Sequence, residues 1–492
     1  MPADRLDAIV LGADIEGLFA AVSLASAGKY VAVFETNSTD ADDSAGQDSF
    51  ASLAAVEELD LISHGVRLGA PPAIVGIAQD QSLVLWPAQD AAQASIALVS
   101  QRDADAYEGF CARIMRGATF NGLNADNALS NWHLAANANG DPASENSFLR
   151  ATSVARLLDE EFSSSLLKGM LAQGAALGTG VSLRAPGSAS LLMRQSLISL
   201  FGDEHSVRYV AGGAASLRQA LLTSLKYFNN ADFHTEQEIK SLLFDKSGVQ
   251  GVVLRDGTSV RAPTVISTVG LERTLELSRG SILLAEDKAT YARPGQVHFR
   301  TRSVPVFRGI GAGTAMSGAI VRLNPTLERL SRGYGAYRAR HLIQDYCLDI
   351  RVIPCREPLN PARWDVFATV LYVPSVTDEG PWSGNRRDRF VTAVAKAIDV
   401  WCPGFEASIE SSALVSPSES QTFIDSDVPV PLERQAKRDP VSAPDVRFSG
   451  VEKLFNGLWL VDPSLTVGAG LAGLKVAKLI GSTGRAKASS DA

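Results

Sequence analysis

An unbroken apolar run, Ala8–Leu11, predicts a short buried strand near the start of the chain. Gly12–Gly17 reads as a turn, and Leu18–Ala27 carries small and apolar residues at helical spacing, stopped by Gly28. Tyr30–Phe34 predicts a second strand, ending on Glu35, so the opening is a β-α-β unit. Related patterns return later. Gly212 and Gly213 precede an amphipathic helix over Ala214–Tyr227, with Leu217, Leu221, Leu222 and Leu225 on one face. Two strands follow, Ile239–Phe244 and Val249–Leu254, and the Asp256-Gly257 pair turns the chain back toward Val260 as a hairpin. Thr264–Ile266 is expected to re-enter the central sheet, and Leu458–Val461 to be a strand followed by a Gly-rich turn and a helix over Leu471–Ile480.

The spacing in the first unit carries chemistry. In a dinucleotide-binding turn the first glycine makes the tight bend, the second lets the backbone approach the pyrophosphate, and the third lets helix and strand pack closely. An acidic residue about 20 positions on binds the ribose hydroxyls. Gly12, Gly17 and Glu35 fill the first, third and last roles. Asp14 stands at the second, where its side chain takes up the space and its charge opposes an anion at a helix N-terminus. The fold is therefore legible here, while tight dinucleotide binding is open.

Composition narrows the remaining choices. The 492 residues are 46% apolar and 20% charged, ordinary for a globular protein with a sizeable core. A net charge of -8 argues against nucleic acid as a partner, which needs clustered Lys and Arg. No apolar run is long enough for a transmembrane helix. The first seven residues lead straight into a strand, so no signal peptide and a cytoplasmic location are expected. Cys111, Cys347, Cys355 and Cys402 are far apart, without a CxxC pair, and are expected to be reduced thiols. The six histidines show no metal-ligand spacing, and no metal is expected.

Segments along nearly the whole chain resemble one family, the relatives of phytoene desaturase called pyridine nucleotide-disulfide oxidoreductase domain-containing protein 2, within the FAD-dependent amine oxidase superfamily. They are SLVLWPAQDAAQASIALVSQRDADAYEGF (82–110), APGSASLLMRQSL, YVAGGAASLRQALLTSL, the stretch from FHTEQEIK to VIST, CPGFEASIESSALVSPSE and GLWLVDPSLTVGAGLAG. The resemblance implies that the backbone near Ile239 flanks an adenine; read from the residues alone, Ile239 is equally a plain core position. It implies that Gly468, Gly470, Leu471 and Gly473 lie around a flavin, where glycines let backbone N–H groups approach the ring. It implies that Asp462 binds ribitol hydroxyls; the alternative is a turn-forming Asp before Pro463. The chain departs from the family at Asp14, at TNSTDADDSAG after Glu35, at Ala211 in place of an Arg, and in SQTFIDSDVPVPLERQAKRDPVSAP.

The expected architecture is α/β: a Rossmann-like FAD-type domain interleaved with a substrate domain of mixed sheet plus helices. The first is expected over 1–75, 205–285 and 450–485, the second over 76–204 and 286–449, with 486–492 a disordered tail. The resemblance implies an FAD-dependent oxidoreductase moving hydride from an apolar or amine-type small molecule to flavin, with no catalytic side chain singled out. Weak or absent FAD binding is expected from Asp14. The alternative is a non-catalytic homologue serving as subunit or scaffold for an intact paralogue.

Overall fold

The structure is a computed structural model, and it describes residues 6–35, 49–69, 73–78, 81–120, 142–177, 180–193, 207–235, 237–278, 295–310, 319–354, 363–416, 451–461 and 470–488. It is a mixed α/β fold in which two large sheets organise the chain. The first sheet is assembled from distant segments. Its strands are β1 (Ala8–Leu11), β2 (Val31–Phe34), β3 (Ala231–His234), β4 (Val265–Ser267), β5 (Val451–Phe455) and β6 (Leu458–Val461), in the order β5-β6-β4-β1-β2-β3. All neighbours are parallel except β5 and β6, which form an antiparallel edge. The runs expected at Ala8–Leu11, Tyr30–Phe34 and Leu458–Val461 thus lie in one sheet, with only Tyr30 left outside it.

Alternation along β1 explains the layers. Ala8 and Val10 face a helical layer made of α1 (Ile15–Ser26), α2 (Gly213–Leu225) and α3 (Leu471–Ala488). Ile9 and Leu11 face the opposite way, onto the antiparallel sheet of Ile239–Asp245, Gly248–Leu254 and Ser259–Arg261. Strands buried on both faces need continuous apolar sequence, and β1 has no exposed residue. The closing helix α3 runs to Ala488, three residues into the segment expected to be a disordered tail; residues 489–492 lie outside the described residues.

The second sheet has seven strands, in the order 409–415, 295–301, 364–370, 348–354, 320–323, 74–77, 82–85. Val297, Phe299, Val366, Ala368 and Ile350 line one face, under Phe390, Val394 and Ile398 of the helix Gly384–Asp399. The other face is packed by helices near its 74–77 end, where Met170 stands directly over Gly76. A polar network is sealed inside this body. Arg322 donates to both carboxylate oxygens of Asp349 at 3.0 Å, and Gln173 Nε2 donates to Asp349 Oδ1 at 2.6 Å. A paired, hydrogen-bonded charge is the form in which an arginine tolerates full burial.

Cys111, Cys347 and Cys402 are free and buried, and Cys355 lies outside the described residues. Among the described residues no cluster of three His, Cys, Asp or Glu could hold a metal, and no helix is long and apolar enough to cross a membrane.

Candidate cofactor site

The C-terminal ends of β1, β2 and β4 meet where α1 begins, the place at which open α/β sheets bind ligands. Gly12 makes the turn out of β1 with φ +105, a conformation L side chains rarely adopt, and a Cβ there would fall 2.2 Å from the Thr268 hydroxyl oxygen. That hydroxyl donates to the Leu11 carbonyl at 3.1 Å, so the end of β4 closes directly over the turn.

Asp14 is the N-cap of α1. Its Oδ1 accepts from Gly17 N at 2.7 Å, satisfying one of the four N–H groups that a helix start leaves without partners. The helix therefore starts at Ile15, three residues before the expected Leu18. Solvent reaches the Asp14 side chain, yet protein surrounds it on most sides. This desolvation pushes its carboxyl up to about 6, against the lowering effect of Gly17 N and the Thr268 hydroxyl.

Glu35 ends β2 as expected, but Arg218 of α2 holds it: Nη2 donates to Oε1 at 2.5 Å, and the same guanidinium donates through Nε to the Ala13 carbonyl at 3.3 Å. The carboxylate expected to bind ribose hydroxyls is thus engaged with a side chain 183 positions away, and both partners are mostly buried.

Glu16 escaped the sequence reading. It is buried, and its two oxygens accept from Gly470 N and Gly473 N at 2.7 Å each. Desolvation pushes its carboxyl up to about 7; the backbone N–H groups oppose that rise, and the neighbouring charge of Asp14 adds to it.

Of the remaining expected positions, Ile239 opens its strand opposite Leu254 and is buried in the core with Phe34 and Leu11. Gly470 and Gly473 stand at the start of α3, against Phe19 and Glu16 of α1, and Leu471 is the first helical residue. Asp462 and Gly468 lie outside the described residues.

An FAD would need N–H groups at the α1 start for its pyrophosphate, a free acidic acceptor for its ribose and open N–H groups near its ring. Among the described residues, Asp14 accepts from one α1 N–H, that of Gly17, Arg218 engages one Glu35 oxygen, and Glu16 accepts from Gly470 N and Gly473 N at α3.

The fold is that of the FAD-dependent oxidoreductases of amine oxidase type. A triple mutant of putrescine oxidase superposes with a TM-score of 0.58 at 14% identity, covering 97% of this chain and 98% of that one. An oxidoreductase from Methanosarcina mazei gives 0.54 at 12%, covering 96% and 100%, and cyclohexylamine oxidase from Brevibacterium oxydans gives 0.51 at 16%, covering 97% and 99%. In sequence, the chain is similar to pyridine nucleotide-disulfide oxidoreductase domain-containing protein 2 of Mus musculus, 24% identical over 476 residues that cover 84% of this chain and 81% of the mouse protein. The Rattus norvegicus protein is 23% identical over the same coverage. No family model matches the chain.

Proposed function

We propose that this chain is a flavin-poor member of the oxidoreductase fold: a scaffold with the amine oxidase architecture that binds FAD weakly or not at all, and that works as a subunit or scaffold beside a flavin-loaded relative. In this reading, the sheet of β1–β6 with its flanking layers is the former cofactor domain and the seven-stranded sheet with its helices the former substrate domain. The observation that carries the proposal is the Asp14 carboxylate on Gly17 N, because it puts a negative group where a phosphate would be bound. The Arg218–Glu35 pair supports it. The test is the absorbance of the purified chain near about 450 nm, the flavin band, with mass spectrometry of the supernatant after denaturation. Substoichiometric or absent FAD is expected; one tightly held FAD per chain overturns the reading.

One observation favours a second reading, an FAD-dependent oxidoreductase acting on an amine-type small molecule. The Asp14 carboxyl, raised to about 6, is largely neutral in mildly acidic solution, and Gly12 and Gly17 are retained. In that case FAD occupancy rises steeply as the pH of purification falls below 6.

A further inference from the structure

Among the described residues, the closing helix α3 begins on positions that carry no capping side chain of their own. Leu474 N donates to Gly470 O at 3.0 Å, which makes Gly470 the N-cap and Gly473 the third helical residue. In a capping box the first of these positions carries a hydroxyl and the second a Glu or Gln, and the two side chains satisfy each other's backbone N–H. Both halves are missing here, because both residues are glycine. Glu16 supplies them from another helix: one carboxylate oxygen takes the N–H at the N-cap and the other takes the N–H at the third position. The close approach depends on Gly473, where a Cβ would come within 2.3 Å of the Glu16 carbonyl oxygen.

We infer that Glu16 is a capping latch supplied by another helix, a built-in carboxyl acceptor that fixes α3 on α1 and occupies the Gly470 and Gly473 N–H groups, closing them to any outside anion, a flavin included. An acceptor at this place also meets the positive end of the α3 dipole. Among the described residues, Asp14 is a charged group acting on it; Arg218 of α2 is engaged by Glu35, and Lys478 of α3 reaches Glu58 instead. The flavin half of the inference rests on the dinucleotide-type reading of this site. The latch half rests on the geometry alone.

Two measurements on the full chain separate the halves. The first is amide hydrogen exchange across 470–476 in the wild type, Glu16→Ala and Glu16→Gln. Exchange at Gly470 and Gly473 is expected to speed at least tenfold in Glu16→Ala, and less in Glu16→Gln, which keeps one acceptor oxygen. Wild-type exchange rates in either variant overturn the latch, and Glu16→Gln, nearly isosteric, decides the matter if Glu16→Ala does not fold. The second is FAD titration of Asp14→Gly against the double variant Asp14→Gly/Glu16→Gln, followed by flavin fluorescence. At least tenfold tighter binding by the double variant is expected, and equal affinities overturn the competition. Stoichiometric FAD in the wild type would end the flavin-poor reading, and the exchange arm would still decide the latch.

Discussion

Two helices in this molecule, α1 and α3, begin on carboxylates drawn from the same short stretch of chain, and the two caps differ in every other respect. Asp14 caps its own helix, three residues from its acceptor, with its side chain open to solvent. Glu16 caps a helix more than 450 positions away and is buried between the two. A local cap at the protein surface contributes on the order of 1 kcal/mol and is replaceable by water or ligand. A buried cap that satisfies two donors is not, because its removal strands both donors away from water. The difference teaches that a carboxylate two positions along the same chain can serve either its own helix start or the packing of two distant helices.

The comparison breaks most directly at Glu16. Glu16→Ala removes the acceptor of two buried backbone N–H groups and leaves both donors unpaired, so a loss of about 3 kcal/mol or more is expected in denaturant unfolding. A loss below about 1 kcal/mol would put Glu16 in the same class as Asp14.

The pH dependence comes next. Glu16 has an ordinary value of 4.5 and is raised to about 7 in the folded chain. The folded state then holds more protons than the unfolded state between those values, and stability must fall as pH rises through them. The contribution is complete below about 4.5 and gone above about 7, on the order of 3 kcal/mol in all. Asp14, raised from 3.8 to about 6, acts in the same direction with a smaller effect because solvent reaches it. Unfolding free energies measured from pH 5 to 8 should therefore decline in the wild type and decline less in Glu16→Gln; parallel curves would show that Glu16 titrates normally.

Asp14→Gly sharpens the other side. Like charges about 4 Å apart cost about 1 kcal/mol in water and about 4 at an effective dielectric of 20. Removing one should tighten FAD about 10-fold to 100-fold, measured by flavin fluorescence. The smallest effect expected is on stability: Asp14→Gly should cost only a few tenths of a kcal/mol, since glycine is itself a tolerable N-cap, and Asp14→Ala about 1. A cost for Asp14→Gly as large as that for Glu16→Ala would erase the distinction between the two caps.

What was legible in the sequence follows the range of the interactions. The bounds of β1 and β6 were readable because a doubly buried strand must be apolar at every position, and both runs are. Gly12 was readable because the turn demands its conformation. The start of α1 lies at Ile15, not the expected Leu18, because Asp14, which stands at a glycine position of the dinucleotide turn, is also an N-cap residue. Glu16 and Arg218 were missed for a different reason. Their partners lie 454 and 183 positions away, and nothing local marks a Glu in a helical turn as buried. The glycines at 470 and 473 were seen, but as room for a flavin; the same missing side chains also leave a helix start uncapped.

The packing of α1 against α3 also sets a clock. Phe19 and Ala20 lie against Gly470 and Gly473 at the start of the last described helix and share a core with its Ala472 and Val476. A ribosome adding about 5–20 residues per second takes on the order of half a minute to a minute and a half to cover the distance between them. Throughout that interval the first helix has emerged while its partner does not yet exist. Its apolar stripe must be shielded by nascent contacts or by chaperones, and the first unit of the chain to appear is among the last to be completed.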